Sequence, residues 1–276
     1  MKKYLIISFT CLLLFGMIAC TAQTPEAPKI ENPVIRLSTT TSVNDSGLLP
    51  YLQPHFEADT AYKIEITSAG TGAAIEKART GDADCLLVHA KSSEEDFISE
   101  GYGEERLPFM FNYFVIVGPE DDPAGVKNAA TAAEAFTAIA DNGAKFVSRG
   151  DESGTHVKEN NIWKDADIDP TDEDWYISVG AGMGQTLTVA DEELAYTLSD
   201  KATFLAHDNT LSILKEEAED MKNTYSLIAI TPERWEDTNY AGALAFIEWI
   251  TSPEALDLID AYGVEEYGEP LFFSMR

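Results

Sequence analysis

Short apolar runs, each closed by glycine or hydroxyl residues and followed by residues at helical spacing, recur along most of this chain. The first, at 34–38, predicts a strand that ends in the hydroxyls of Thr39, Thr40, Thr41 and Ser42. Asn44, Asp45, Ser46 and Gly47 supply a turn and a cap, and 48–52 opens a helix whose Pro50 falls in the first turn, where its missing N–H costs little. The grammar repeats at 62–67 (strand), Gly70-Thr71-Gly72 (tight loop) and 73–79 (helix), with Gly81 and Asp82 as the stop. Residues 85–89 then read as a buried strand. Strands separated by helical crossovers imply parallel pairing, because parallel neighbours cannot be joined by a hairpin.

A long apolar strand is predicted at 109–117, broken at Gly118-Pro119, and the turn residues that follow suggest a crossing into a second lobe. A helix at 129–140 and a strand at 145–148 lead to Ser148-Arg149-Gly150-Asp151-Glu152-Ser153-Gly154-Thr155-His156 and a helix over 156–163. A strand at 175–179 hands over to Gly180-Ala181-Gly182-Met183-Gly184, and Ala190, Leu194, Ala195 and Leu198 continue at helical spacing. Beyond that the pattern predicts a short strand at 202–206, an acidic helix at 211–221, a returning strand at 225–230 and closing helices at 241–250 and 253–261. Trp235, Tyr240 and Trp249 are read as core or interface aromatics.

Residues 1–19 carry the pattern of a lipoprotein signal peptide: Lys2 and Lys3, an apolar core at 4–18 too short for an ordinary membrane span, and a cleavage box, Met17-Ile18-Ala19-Cys20. Cys20 would become the lipidated first residue, with 20–31 a flexible tether to the folded part. Cys85 is then the one thiol left, so an intramolecular disulfide is not expected, and its apolar run predicts a buried, inert side chain. A mature chain of this length can bury enough surface to fold without staples, as two lobes.

Charge changes the picture of partners. Lys and Arg number 19 against 48 Asp and Glu, a net charge of −29, and loss of Lys2 and Lys3 leaves 17 against 48, or −31. Nucleic acid is excluded as a partner on that ground. A small anion is not, because distant carboxylates are screened over about 8 Å whereas donors in contact with a ligand are not. The acidity itself reads as adaptation to an external medium.

The stretch 148–156 has the chemistry of an anion trap: a guanidinium fork, hydroxyls, permissive glycines and a helix start. It is equally the sequence of a capped helix after a surface turn, with Ser153 as cap. Four such turns follow four strands, two on each side of the crossing near Gly118, and would face one another across a cleft, where open α/β sheets bind ligands. Everything they offer is a donor: the hydroxyls of Thr40, Thr41, Ser42, Thr71 and Thr155, the Arg149 guanidinium, and backbone N–H groups near Gly72, Gly154, Gly182 and Met183. A deprotonated tetrahedral oxyanion needs only donors; phosphate near neutral pH keeps a proton and benefits from a carboxylate. Ser153, His156 and Asp151 have the residue types of a hydrolase triad at an unfavourable spacing. His55, His89, His156 and His207 lack metal-ligand spacing, so neither a metal nor a cofactor is expected.

The hydroxyl run after the first strand, Gly70-Thr71-Gly72, Gly81-Asp82-Ala83-Asp84, Leu87-Val88-His89-Ala90, the 148–156 motif, Gly182-Met183-Gly184 and Asn223-Thr224-Tyr225 together resemble the tungstate-binding component of a bacterial ABC importer, from about Ile35 to the C-terminus. Ala73, Tyr113, Ala181 and Lys201-Ala202 depart from that pattern. The resemblance implies an α/β, two-lobe periplasmic-binding-protein-like fold of type II that closes on tungstate or molybdate. It also implies an extracytoplasmic protein, anchored to the membrane through Cys20, with permease and ATPase subunits as partners. The expected lobes are 32–117 with 231–276, and 118–230. Phosphate is the alternative anion: its binders place a carboxylate after the third strand, where this chain has His89-Ala90, although an inward Asp151 would serve.

Overall fold

In the computed structural model of the chain, β1 (Val34–Thr40) lies between β2 (Lys63–Ala69) and β3 (Cys85–Val88), parallel to both. Ile30, residues 32–216 and residues 219–276 are described; the expected leader 1–19, Cys20 and all of the tether but Ile30 lie outside them. The parallel pairing follows from the crossovers. Of the helices α1 (Thr41–Asp45), α2 (Leu48–Asp59) and α3 (Thr71–Arg79), α2 lays Leu48, Leu49, Leu52 and Phe56 toward the sheet, and α3 lays Ala74, Ile75 and Ala78. After β3 comes α4 (Lys91–Ser99), then β4 (Leu107–Gly118).

β4 belongs to two sheets. Its residues as far as Tyr113 pair with the late strand β9 (Lys222–Ala229), which also lies antiparallel to β3, giving the order β2-β1-β3-β9-β4-β10 with β10 (Phe273–Ser274) at the edge. From Phe114 onward it pairs with β7 (Thr197–Asp200) and β8 (Ser212–Lys215). β5 (Phe146–Ser148) and β6 (Tyr176–Ser178) run parallel, and Phe146 bridges to Tyr196 beside β7. Each sheet has its own core. The first gathers Ile35, Leu37, Phe56, Leu87, Phe246 and Phe272, the second Phe136, Phe146, Trp163 and Tyr196. The fold is therefore the expected two-lobe α/β architecture of mixed sheets flanked by helices. Tyr240 and Trp249 pack on the first core and Trp235 on a smaller cluster beside it, while Cys85 is fully buried with its thiol pKa pushed up by burial.

The remaining α-helices are α5 (Ala132–Asp141), α6 (Gly154–Asp165), α7 (Met183–Glu193), α8 (Lys201–Leu205), α9 (Tyr240–Ile250), α10 (Pro253–Ala261) and α11 (Val264–Tyr267). Three predicted elements differ. The helix expected to continue through Leu198 stops at Glu193, because Leu194 turns left-handed (φ 50°) and the next residues extend to pair with β4. The strand expected at 202–206 is α8, begun by the Asp200 side chain accepting the Thr203 N–H at 2.9 Å. The acidic helix expected at 211–221 is β8 followed by a 3₁₀ turn at Glu219–Met221, since the second half of β4 takes Ser212 and Ile213 as ladder partners. The changes of sheet partner fall between Tyr113 and Phe114 and before Lys222, whereas the expected lobe boundaries were 117/118 and 230/231.

Candidate functional site

The turns at the carboxyl ends of β1, β2 and β5 meet. Thr40, Thr41, Ser42, Thr71, Arg149, Gly154 and Thr155 line one cavity together with His89 and Ser153, and the space open to the centre of a water molecule is 10 Å³. That is room for a ligand of only a few atoms. A larger space of 560 Å³ shares Thr71, His89 and Gly154 with it and carries Gly72; another, of 240 Å³, shares Thr41, Ser42 and Arg149 and carries Gly182 and Met183. Every residue expected at the site thus lines one of three adjoining spaces. Ala69, Gly70, His89 and Ser153 also line the small cavity; the sequence reads Ser153 as the helix cap and His89 as standing where phosphate binders carry a carboxylate.

Strand alternation decides which hydroxyls face it. Thr39 is turned away, its Oγ1 donating to the Leu87 carbonyl at 2.7 Å, and Ser38 donates to Ala74 at 2.9 Å. Thr40 Oγ1 lies 3.2 Å from Ser42 Oγ, and Ser42 Oγ lies 3.2 Å from the Tyr225 hydroxyl and 3.4 Å from His89 Nε2. Thr71 occupies the first turn of α3, and its buried hydroxyl has no partner among the described residues.

On the opposite wall the chain leaves β5 through a turn with Gly150 at φ 59° and Glu152 at φ 57°. Ser153 caps α6 by accepting the His156 N–H at 3.3 Å, which aims the first turn of that helix, with Gly154 and Thr155, into the cavity. Arg149 is 4% exposed; it donates through Nη2 to Asp151 at 2.6 Å, while its buried Nε has no partner among the described residues.

Burial would raise the Asp151 carboxyl, but Ser153 and Arg149 outweigh it and hold the pKa below the ordinary value, so Asp151 is ionised. Its oxygens are committed to Arg149 and to the Ser153 N–H, and it does not line the cavity. Burial, then the charge of Arg149, lowers His89 to about 4, leaving a neutral imidazole at physiological pH. No Asp or Glu is among the residues lining the small cavity. The Ser153, His156 and Asp151 set is likewise engaged elsewhere: Ser153 is the helix cap, and His156 Nδ1 accepts the Glu152 N–H at 3.0 Å.

Two lobes facing a donor-lined cleft define a solute-binding architecture, and residues 23–254 match the family model of the PBP superfamily domain. Over 281 aligned residues the chain is 41% identical to the tungstate-binding protein TupA of Peptoclostridium acidaminophilum, covering 99% of this chain and 98% of that one. Among solved structures, the tungstate-binding protein TupA from Desulfovibrio alaskensis G20 superposes with a TM-score of 0.78 at 38% identity, covering 88% of this chain and 99% of that one. The tungstate ABC transporter structure from Geobacter sulfurreducens gives 0.77 at 43%, covering 83% and 98%. The chain belongs to the PBP superfamily and, within it, to the family that contains these tungstate-binding proteins.

Proposed function

We propose that this protein captures tungstate, or molybdate, outside the cytoplasmic membrane and delivers it to the permease and ATPase subunits of an ABC importer, without turning it over. The observation that carries the reading is a pair of donors from opposite lobes, the Thr71 hydroxyl and Arg149 Nε, both buried, both without a partner among the described residues, in a cavity whose walls hold no carboxylate. Buried donors without partners are costly, and an anion with acceptors on every side removes that cost. Thr40, Thr41, Ser42, Thr71, Arg149 and Thr155 would give side-chain donors, and Gly72, Gly154, Gly182 and Met183 backbone ones. The closing bodies are 32–113 with 222–276, and 114–221, joined where β4 and the approach to β9 change lobes. Cys20 would carry the lipid that keeps the receptor at the membrane.

Competition calorimetry with tungstate, molybdate, phosphate and sulfate tests the reading. Tungstate should bind one to one and at least as tightly as molybdate, with both far above phosphate and sulfate. Phosphate outcompeting tungstate overturns the choice of anion, and hydrolysis of a phosphate or carboxylic ester that is lost in Ser153→Ala overturns the class.

A further inference from the structure

Behind the small cavity's wall, Ser42 is held by a buried polar chain of Tyr225, Asn223 and Asn112, none of which lines that cavity. Asn223 Nδ2, which carries only protons, donates to the Tyr225 hydroxyl oxygen at 3.1 Å and to Asn112 Oδ1 at 2.9 Å. A phenol oxygen that is accepting in this way still has one proton to give. Ser42 Oγ, 3.2 Å away, is within reach of that proton. With its lone pair engaged by Tyr225, the Ser42 hydroxyl keeps its own proton, for which the bound ligand competes with Thr40 Oγ1 at 3.2 Å and His89 Nε2 at 3.4 Å, and Ser42 lines the cavity.

We infer that Tyr225 is a positioning residue: by donating to Ser42 it turns the serine hydroxyl into an oriented donor for the bound oxyanion. Hydrogen bonds in series polarise one another, so the direction set at Asn223 strengthens the donor at the far end. Tyr225 is fully buried and absent from the cavity walls, so its hydroxyl acts on the ligand through Ser42. The chain is rooted at a rigid place. Asn112 and Asn223 face each other in register on β4 and β9, and the next pair, Tyr113 and Lys222, is the last before β4 leaves for the second sheet. The orientation of Ser42 is therefore set at the junction of the lobes.

The inference rests on the anion-binding reading above and is tested by a double-mutant cycle in tungstate calorimetry. Tyr225→Phe keeps the ring that packs on His89 and Phe272 and removes only the hydroxyl. Tyr225→Phe and Ser42→Ala should each weaken binding about threefold to tenfold. The double variant should bind no more weakly than Ser42→Ala, because Tyr225 has nothing left to orient. Asn223→Asp, which offers acceptors where Asn223 offers protons, should draw the Tyr225 proton away from Ser42 and weaken binding comparably, and it serves if Tyr225→Phe does not fold. Wild-type affinity in Tyr225→Phe, or losses that multiply in the double variant, overturn the inference alone. A wild-type protein that binds no tungstate overturns the functional reading and this one with it.

Discussion

The two lobes furnish the cavity in different ways. Lobe one presents neutral hydroxyls at the ends of sheet strands, where Thr40 is bonded to Ser42 and Ser42 also lies within reach of Tyr225 and His89. Lobe two presents one permanent charge, Arg149, on a turn with two left-handed residues, tethered to Asp151. Neutral donors on a sheet cost little to hold in place and give geometry. A buried guanidinium is expensive to hold and gives strength, since charge-assisted hydrogen bonds are roughly twice as strong as neutral ones. Shape would then be read mainly by lobe one and affinity supplied mainly by lobe two.

Removing the charge breaks that division most severely. Arg149→Ala should lower tungstate affinity by about 30-fold to several thousand-fold, the range for losing one partner of a buried charged pair, and calorimetry that finds no change would place the site elsewhere. Next in size is the contact between lobes at Gly154, where an added Cβ would come within 2.9 Å of His89 Nδ1 and nearer still to Cε1. Gly154→Ala should weaken tungstate binding by about fivefold to a hundredfold, the cost of overpacking a close contact, again read by calorimetry.

The smallest net effect in the wild type is in stability against pH, because burial lowers His89 in lobe one and raises Glu159 and Asp200 in lobe two. His89 in lobe one is lowered from 6.5 to about 4 by burial and by Arg149; its contribution is complete above pH 6.5 and lost as pH falls through 4. Glu159 in lobe two is raised from 4.5 to about 7 by burial, against the hydrogen bonds from Tyr176, Ser148 and Trp163; its contribution is complete below pH 4.5 and lost as pH rises through 7. Each is worth up to about 3 kcal/mol, and in the wild type they oppose one another. Urea midpoints should therefore fall more steeply with rising pH in His89→Asn than in the wild type, and more steeply with falling pH in Glu159→Gln. Unchanged profiles in both variants would remove these groups from the account.

The turns that build the cavity were legible because their chemistry is local: a strand end, a glycine or hydroxyl cluster, a helix start. All ten residues read from those turns line the joined spaces. What failed lies in 194–221, where β7 and β8 exist as strands because the distant second half of β4 takes them as partners. Leu198 suits a helix face as well as a sheet, and the only local hint was Asp200, a helix cap. The handover within β4 left no mark either, since Phe114, Val115, Ile116 and Val117 are as apolar as the residues before them. Tyr225 stood within a recognised motif, but its contact with Ser42 spans 183 positions and belongs to the tertiary fold.

Gly154 has one more consequence. The His89 ring of one jaw rests in the notch that a missing methyl leaves in the other, so a single hydrogen atom marks where the jaws stop. Side chains of graded bulk at that position would act as doorstops of graded thickness, giving a series of receptors arrested at chosen apertures with the ligand-facing hydroxyls and the arginine untouched.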